Sequence, residues 1–210
     1  MLQLSNHSFQ DGGTTPGEFA IAVPDATSHI AQSSNLNPHV AWHSAPAETQ
    51  SFVLVCHDPD VPSRGDDVNQ EGREVSASLP RVDFYHWLLL DIPASINEIP
   101  AASHSNSITP RGKAGPNAPT GLRHGINDYT GWFATDEQMK GTYYGYDGPC
   151  PPWNDAIVHH YIFTLYALAT PALTIEGELN GANVRAALAN APVLAKATLT
   201  GLYTLNPALL

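Results

Sequence analysis

The sequence predicts a mainly β protein, folded as one domain over residues 1–210. Three observations carry that expectation. Short runs of apolar and β-branched residues recur, and several alternate with period two. Proline and glycine are plentiful, 18 and 16 residues, which supplies the turns that many short strands need. Only Asn183 to Ala189 reads as a helix, started near Asn180 and stopped by Pro192.

Taken in order, residues 1–20 are polar, with Asp11-Gly12-Gly13 marking a turn before Phe19-Ala20-Ile21. Residues 24–39 read as loop. Val40 and Trp42 then alternate as in a half-buried strand. Ser51 to His57 is a short β-branched run that should end at Asp58-Pro59, because a residue before proline is pushed out of helical geometry. Residues 62–81 read as a long exposed loop. Phe84 to Ile92 is the next strand. Period two puts Phe84, His86, Leu88 and Leu90 on one face, and Tyr85, Trp87 and Leu89 on the other. Both faces are apolar, so this strand should be central. Residues 101–150 look irregular, and a loop that long usually binds something. His159 to Ala169 is a clear strand, with His159, Tyr161, Phe163 and Leu165 on one side. Lys196 to Tyr203 reads as the last strand.

The formal net charge of −11 repels polyanions, and no basic cluster offsets it. Nucleic acid and acidic membrane surfaces are therefore poor partners. The start of the chain lacks the basic and apolar regions of a signal peptide, and no apolar run reaches membrane-span length. A cytoplasmic protein is the expectation. Two cysteines, Cys56 and Cys150, do not make a disulfide-built scaffold. They read as reduced, packed thiols, with redox pairing across a pocket as the alternative.

The chemistry-bearing residues fall in four distant segments: Asp58-Pro59-Asp60, His86-Trp87, Gly148-Pro149-Cys150-Pro151-Pro152 and His159-His160-Tyr161. On an extended backbone Asp58 and Asp60 face the same way. Two carboxylates that close disfavour double ionisation. The plainer reading of the tripeptide is a turn. His86 and His159 each sit on an apolar strand, where a lone histidine is commonly a satisfied core residue. With the aspartates at hand, a carboxylate could fix one ring nitrogen and aim the other at a ligand. Gly148 could bring its backbone N–H close to an oxyanion in a loop stiffened by prolines; a rigid connector is the plainer alternative. Arg123 and His124 should lie in a loop at the pocket mouth. Tyr143, Tyr144 and Tyr146 either wall the entrance or pack that loop onto the sheet.

These segments, in this order, resemble the phosphatidylethanolamine-binding protein (PEBP) family, and most of all its bacterial YbhB/YbcL-type, Raf-kinase-inhibitor-like branch. Phe9 to Gly13 with Pro16, Asn37 to Trp42, and Ala195 to Leu199 add to the resemblance, which spans nearly the whole chain. It implies a PEBP-like β-sandwich, a large antiparallel sheet packed on a smaller one with a short C-terminal helical region. It also implies an anion pocket built by Asp58, Asp60, His86, Gly148, Pro149, Cys150 and His159, with Tyr161 beside it. Ligands there would be phosphate, acetate or a phosphorylated head group. A protein kinase or protease partner and a homodimer are further implications. The family's usual His-Arg-Tyr stands here as His159-His160-Tyr161, and period two turns His160 away from His159.

Two function classes follow. The leading one is a non-enzymatic, regulatory binding protein with no cofactor, no metal and no catalytic residue. The other is a metal-dependent phosphoesterase using the aspartates and histidines, with His104 and His124 as added ligands. Against the second, the chain lacks a clustered ligand motif and a nucleophile elbow.

Overall fold

The computed structural model describes residues 1–210. Along the chain come β1 (Gln3–Ser5), β2 (Gly13–Thr14), β3 (Ala22–Asp25), β4 (His29–Gln32), β5 (Val40–His43), β6 (Ser51–Pro62) and β7 (Arg81–Pro93). There follow β8 (Glu98–Ile99), β9 (Arg123–His124), the one-turn helix α1 (Tyr129–Trp132), β10 (His159–Leu168), α2 (Gly181–Asn190) and β11 (Val193–Tyr203). No helix is long and apolar enough to cross a membrane.

The large sheet has the order β2-β11-β10-β6-β7-β9. Its four long strands pair antiparallel, and β2 joins β11 in parallel. A small sheet, β1-β5-β8, covers one face. Strand β6 explains why two cores form. Phe52, Leu54 and Cys56 point to the small sheet and join Val40, Trp42 and Ile99 in the main core. Val53 and Val55 point the other way and meet Val184 and Leu188 of α2. A strand buried on both faces needs apolar residues at every position, which is why this run does not alternate. Leu54 and Leu165 are fully buried, and truncating either to alanine should cost about 2–5 kcal/mol.

Helix α2 starts where the Asn180 side chain accepts from the Asn183 N–H at 3.0 Å, an N-cap that satisfies one orphan donor. It ends just before Pro192.

Strand-level differences from the sequence reading have local causes. Strand β6 does not stop at Asp58-Pro59 but runs on to Pro62. A register shift between Asp58 and Val61 absorbs one extra residue there. Proline is tolerated where a bulge interrupts the ladder. Facing it, Cys56 pairs with Trp87 and His57 with Tyr85, so His86 is an extra residue in β7. That bulge breaks the period-two count. Leu88 and Leu90 face α2, whereas His86 turns to the opposite side, against Tyr161. Residues 24–39 are not all loop: β4 pairs with β3 across a turn closed by Asp25 Oδ1, which accepts from the N–H groups of Thr27 and Ser28. That ribbon carries too few apolar residues to show in a hydrophobicity pattern.

Candidate functional site

A cavity of about 280 Å³ opens over the bulged ends of β6 and β7 and the start of β10. Asp58, His86, His159 and Tyr161 come from these strands, with Phe84 beside His86. Cys150, Pro151 and Pro152 form a second wall, and Tyr129 and Trp132 of α1 a third. The mouth is completed by Ser63, Arg64, Gly65 and Val68. Strand bulges re-aim side chains, and here two of them bracket one end of the sheet.

His159 is fully buried between two carboxylates. Its Nδ1 lies 2.7 Å from Asp58 Oδ2 and its Nε2 3.1 Å from Asp155 Oδ2. Burial alone disfavours the charged ring. The hydrogen bonds to Asp155 and Asp58 outweigh it and push the pKa up to about 9. His159 is therefore an imidazolium at neutral pH, with both N–H groups donated. Asp155 in turn takes a two-pronged bond from Arg81, at 2.6 and 3.0 Å. Asp58 also accepts from the Asp60 N–H at 2.7 Å. Two carboxylates are thus matched by two cations, and this part of the site carries no net charge.

His86 is the opposite case. Burial holds its pKa below the ordinary histidine value, and Asp58 and Asp147 only partly offset it. The ring is neutral at pH 7. Nδ1 donates to the Asp147 carbonyl at 2.7 Å. A neutral imidazole that donates from Nδ1 carries a lone pair on Nε2. Rings surround it: Tyr161 and Tyr129 stand edge-on at 5.0 and 5.5 Å.

Of the residues the sequence singled out, Asp58, His86, Cys150, His159 and Tyr161 line the cavity. Asp60, Gly148 and Pro149 do not. The bulge turns Asp60 outward, where its carboxylate accepts from the N–H and Nδ1 of exposed His160, both at 2.8 Å. Gly148 spends its N–H on Asn35 Oδ1 at 2.8 Å, and its carbonyl accepts from the Tyr129 hydroxyl. The Pro149 carbonyl accepts from the Ile21 N–H. Arg123 and His124 are not at the mouth: they form β9 on the edge of the sheet, where Arg123 pairs with Asp91 and His124 is buried. Tyr143 and Tyr146 are buried too and pack the long segment onto the sheet. Cys56 and Cys150 are free. Burial raises both thiols, Cys150 to about 11, so neither is a thiolate at pH 7.

Sequence reasoning missed four residues. Asp155 sits four residues before His159, but no strand or turn pattern sets that spacing apart. Arg81 enters only through Asp155. Asp147 is buried and holds its loop by accepting from Asn35 and Asn127, both at 2.8 Å, with Lys113 at 3.1 Å. Arg64 belongs to a segment read as plain loop. That segment is tied down by Asn154, whose amide donates to the carbonyls of Asp67, Gln70 and Arg73 and accepts from the Asn69 N–H.

Comparison with known proteins agrees with this architecture. The chain is 28% identical over 197 residues to UPF0098 protein YbcL of Escherichia coli K12, covering 91% of this chain and 87% of that one. It is 29% identical over 202 residues to a UPF0098 protein of Methanothermobacter thermautotrophicus, covering 96% and 98%. UPF0098 protein YbhB of E. coli K12 is 27% identical over 150 residues, 71% of this chain and 70% of that one. Among solved structures, E. coli YbcL superposes with a TM-score of 0.67 at 23% identity, covering 97% and 98%. A PEBP homologue from Chlamydia trachomatis superposes with a TM-score of 0.62 at 21% identity, covering 96% of both chains. The family model for phosphatidylethanolamine-binding protein matches residues 5–204. On fold and sequence together, the chain belongs to the phosphatidylethanolamine-binding protein family, YbhB/YbcL type.

Proposed function

We propose that this PEBP-type binding protein holds a small oxyanion, free or as a phosphorylated head group or carboxylate, in the cavity beneath Arg64 and Trp132. The observation that carries the reading is a neutral, buried His86 whose Nε2 is not used by the protein, set beside an ion-paired His159. An anion near two aspartates would ordinarily be repelled. Here Asp58 and Asp155 are matched by His159 and Arg81, so the repulsion is largely offset before a ligand arrives. A ligand oxyanion gains its strongest contact when Nε2 of His86 is protonated, either from solvent or by a proton the ligand brings.

Binding without catalysis fits the same geometry. Both nitrogens of His159 are engaged by carboxylates, so it offers no lone pair to a metal. No three His, Cys, Asp or Glu side chains are grouped to hold one. His104 and His124 bond to each other at 3.1 Å, away from the cavity.

Calorimetric titration with acetate and with phosphate, at about pH 5.5 and about pH 8, tests the reading. Acetate matters because it keeps one charge over most of that range. Tighter binding at the lower pH is expected for both, and loss of binding in His86→Gln. Equal affinity at the two pH values, or an unaffected His86→Gln, would count against it.

A further inference from the structure

Asp155 stands apart from the other residues of the cavity. It is buried and touches His159, yet it does not line the cavity itself. Its backbone is pinned from three directions. The N–H bonds to the Pro152 carbonyl, the carbonyl accepts from Asn206, and Val75 bridges alongside. Its carboxylate is fixed by Arg81, and Arg81 is fixed in turn, since its guanidinium also donates to the carbonyls of Asp60 and Ser76, both at 2.9 Å. Neither group can swing aside without breaking several bonds at once.

We infer that Asp155, braced by Arg81, is a positioning residue that commits the second nitrogen of His159 and thereby leaves ligand recognition to His86. The first half of that statement stands on geometry alone; the second rests on the binding reading above. A ligand that displaced Asp58 from His159 would leave a buried carboxylate with the Asp60 N–H as its one remaining partner, which is strongly unfavourable, while Asp155 is held in place by Arg81. His159 is then a fixed cation of the framework, sharing its charge with Asp58 and Asp155, and His86 is the group that changes state when an anion enters.

The groups facing His159 allow this assignment to be made. Asp58 meets it from β6 and Asp155 from the segment before β10. His86 approaches from β7 and disfavours a second positive charge on either ring. Tyr161 on the same strand and Cys150 in the facing wall stay neutral at pH 7, since burial raises both. The two carboxylates therefore govern the protonation of His159, and removing one should be felt at once.

The test needs no ligand in its first arm. Histidine ring resonances of the full chain are followed by NMR from about pH 5 to about pH 10, with His159→Gln supplying the assignment. In the unmodified protein His159 is expected to stay protonated past about pH 8. In the near-isosteric Asp155→Asn its proton affinity should fall by about tenfold or more. Arg81→Lys, which keeps the positive charge, should lower it less. If His159 titrates near the ordinary histidine value in the unmodified protein, or does not respond to Asp155→Asn, the assignment is overturned. Should Asp155→Asn fail to fold, Asp155→Glu and Arg81→Lys decide by the same readout. The second arm measures acetate affinity from about pH 5 to about pH 8, below the range in which His159 of the unmodified protein loses its proton. The unmodified protein should show one titration step and Asp155→Asn two; a single step in both would overturn the division of labour. Absence of acetate and phosphate binding altogether would sink the binding reading while leaving the first arm to judge Asp155.

Discussion

Gly148 lies so tightly against Phe19 that a Cβ on it would come 2.0 Å from the Phe19 carbonyl oxygen. That contact by itself requires a glycine here. The Phe19 carbonyl also accepts from the Tyr146 hydroxyl, so it cannot retreat freely. Gly148→Ala should destabilise the protein by about 1–3 kcal/mol, as overpacking does. Urea unfolding measures this; an unchanged midpoint would mean the backbone there has room to give.

Alkaline stability should depend on His159. Its pKa is raised from 6.5 to about 9 on folding. The stabilisation is therefore complete below the unfolded value of 6.5 and is lost as pH rises through about 9. The loss is up to about 3 kcal/mol, treating the group as isolated. Melting temperatures from about pH 6 to about pH 10 should fall in the unmodified protein and fall less steeply in His159→Gln. Parallel profiles would contradict it.

Acid stability should depend on a second pair. His104 Nδ1 and His124 Nε2 lie 3.1 Å apart in a largely buried layer beside Trp87. Burial lowers His104 to about 4, while burial with His104 and Lys113 nearby lowers His124 to about 3. Both take up protons more readily unfolded. Stability present above the unfolded value of 6.5 is then lost as pH falls toward 4 and 3. His104→Gln should flatten the fall in melting temperature between about pH 6.5 and about pH 4.5, whatever its absolute stability. An unaltered slope would rule the pair out as the cause.

Arg64 is the only lysine or arginine lining the cavity, and its side chain is 69% exposed, opposite Asp66 at 3.6 Å. Arg64→Ala should weaken phosphate binding a few-fold, about 1 kcal/mol or less, in keeping with a screened surface charge. Unfolding should be unaffected. A large loss of stability, or no change in affinity even at low salt, would place Arg64 outside the recognition surface.

Asn154→Ala should loosen residues 63–80 by removing the amide that ties down Asp67, Asn69, Gln70 and Arg73. The expected cost is about 1–3 kcal/mol, since buried partners lose their bonds. Hydrogen exchange should rise at Asn69, whose N–H bonds to Asn154. Protection there equal to that of the unmodified protein would show that another contact holds the segment.

Much of the fold was legible because burial leaves periodic traces. Both faces of β10, the capped helix α2 and the doubly apolar β6 each follow from local spacing. His86 keeps Phe84 on its side but was wrongly grouped with Leu88 and Leu90, because a bulge inserts one residue and reverses the alternation beyond it. The same effect sent Asp60 outward. Arg123 and His124 were misplaced because a two-residue edge strand carries no pattern of its own.

By itself the sequence determined the kind of protein this is: a β-rich chain, the order of its strands along the chain, and the family those ordered segments mark. Only the tertiary structure decided what each site residue does. Asp155, Arg81 and Asp147 act through partners distant in the chain or through a contact no periodicity marks, and a hydrogen bond between side chains depends on where bulges turn the backbone. Periodicity records which side of a strand is dry; it does not record which donor meets which acceptor.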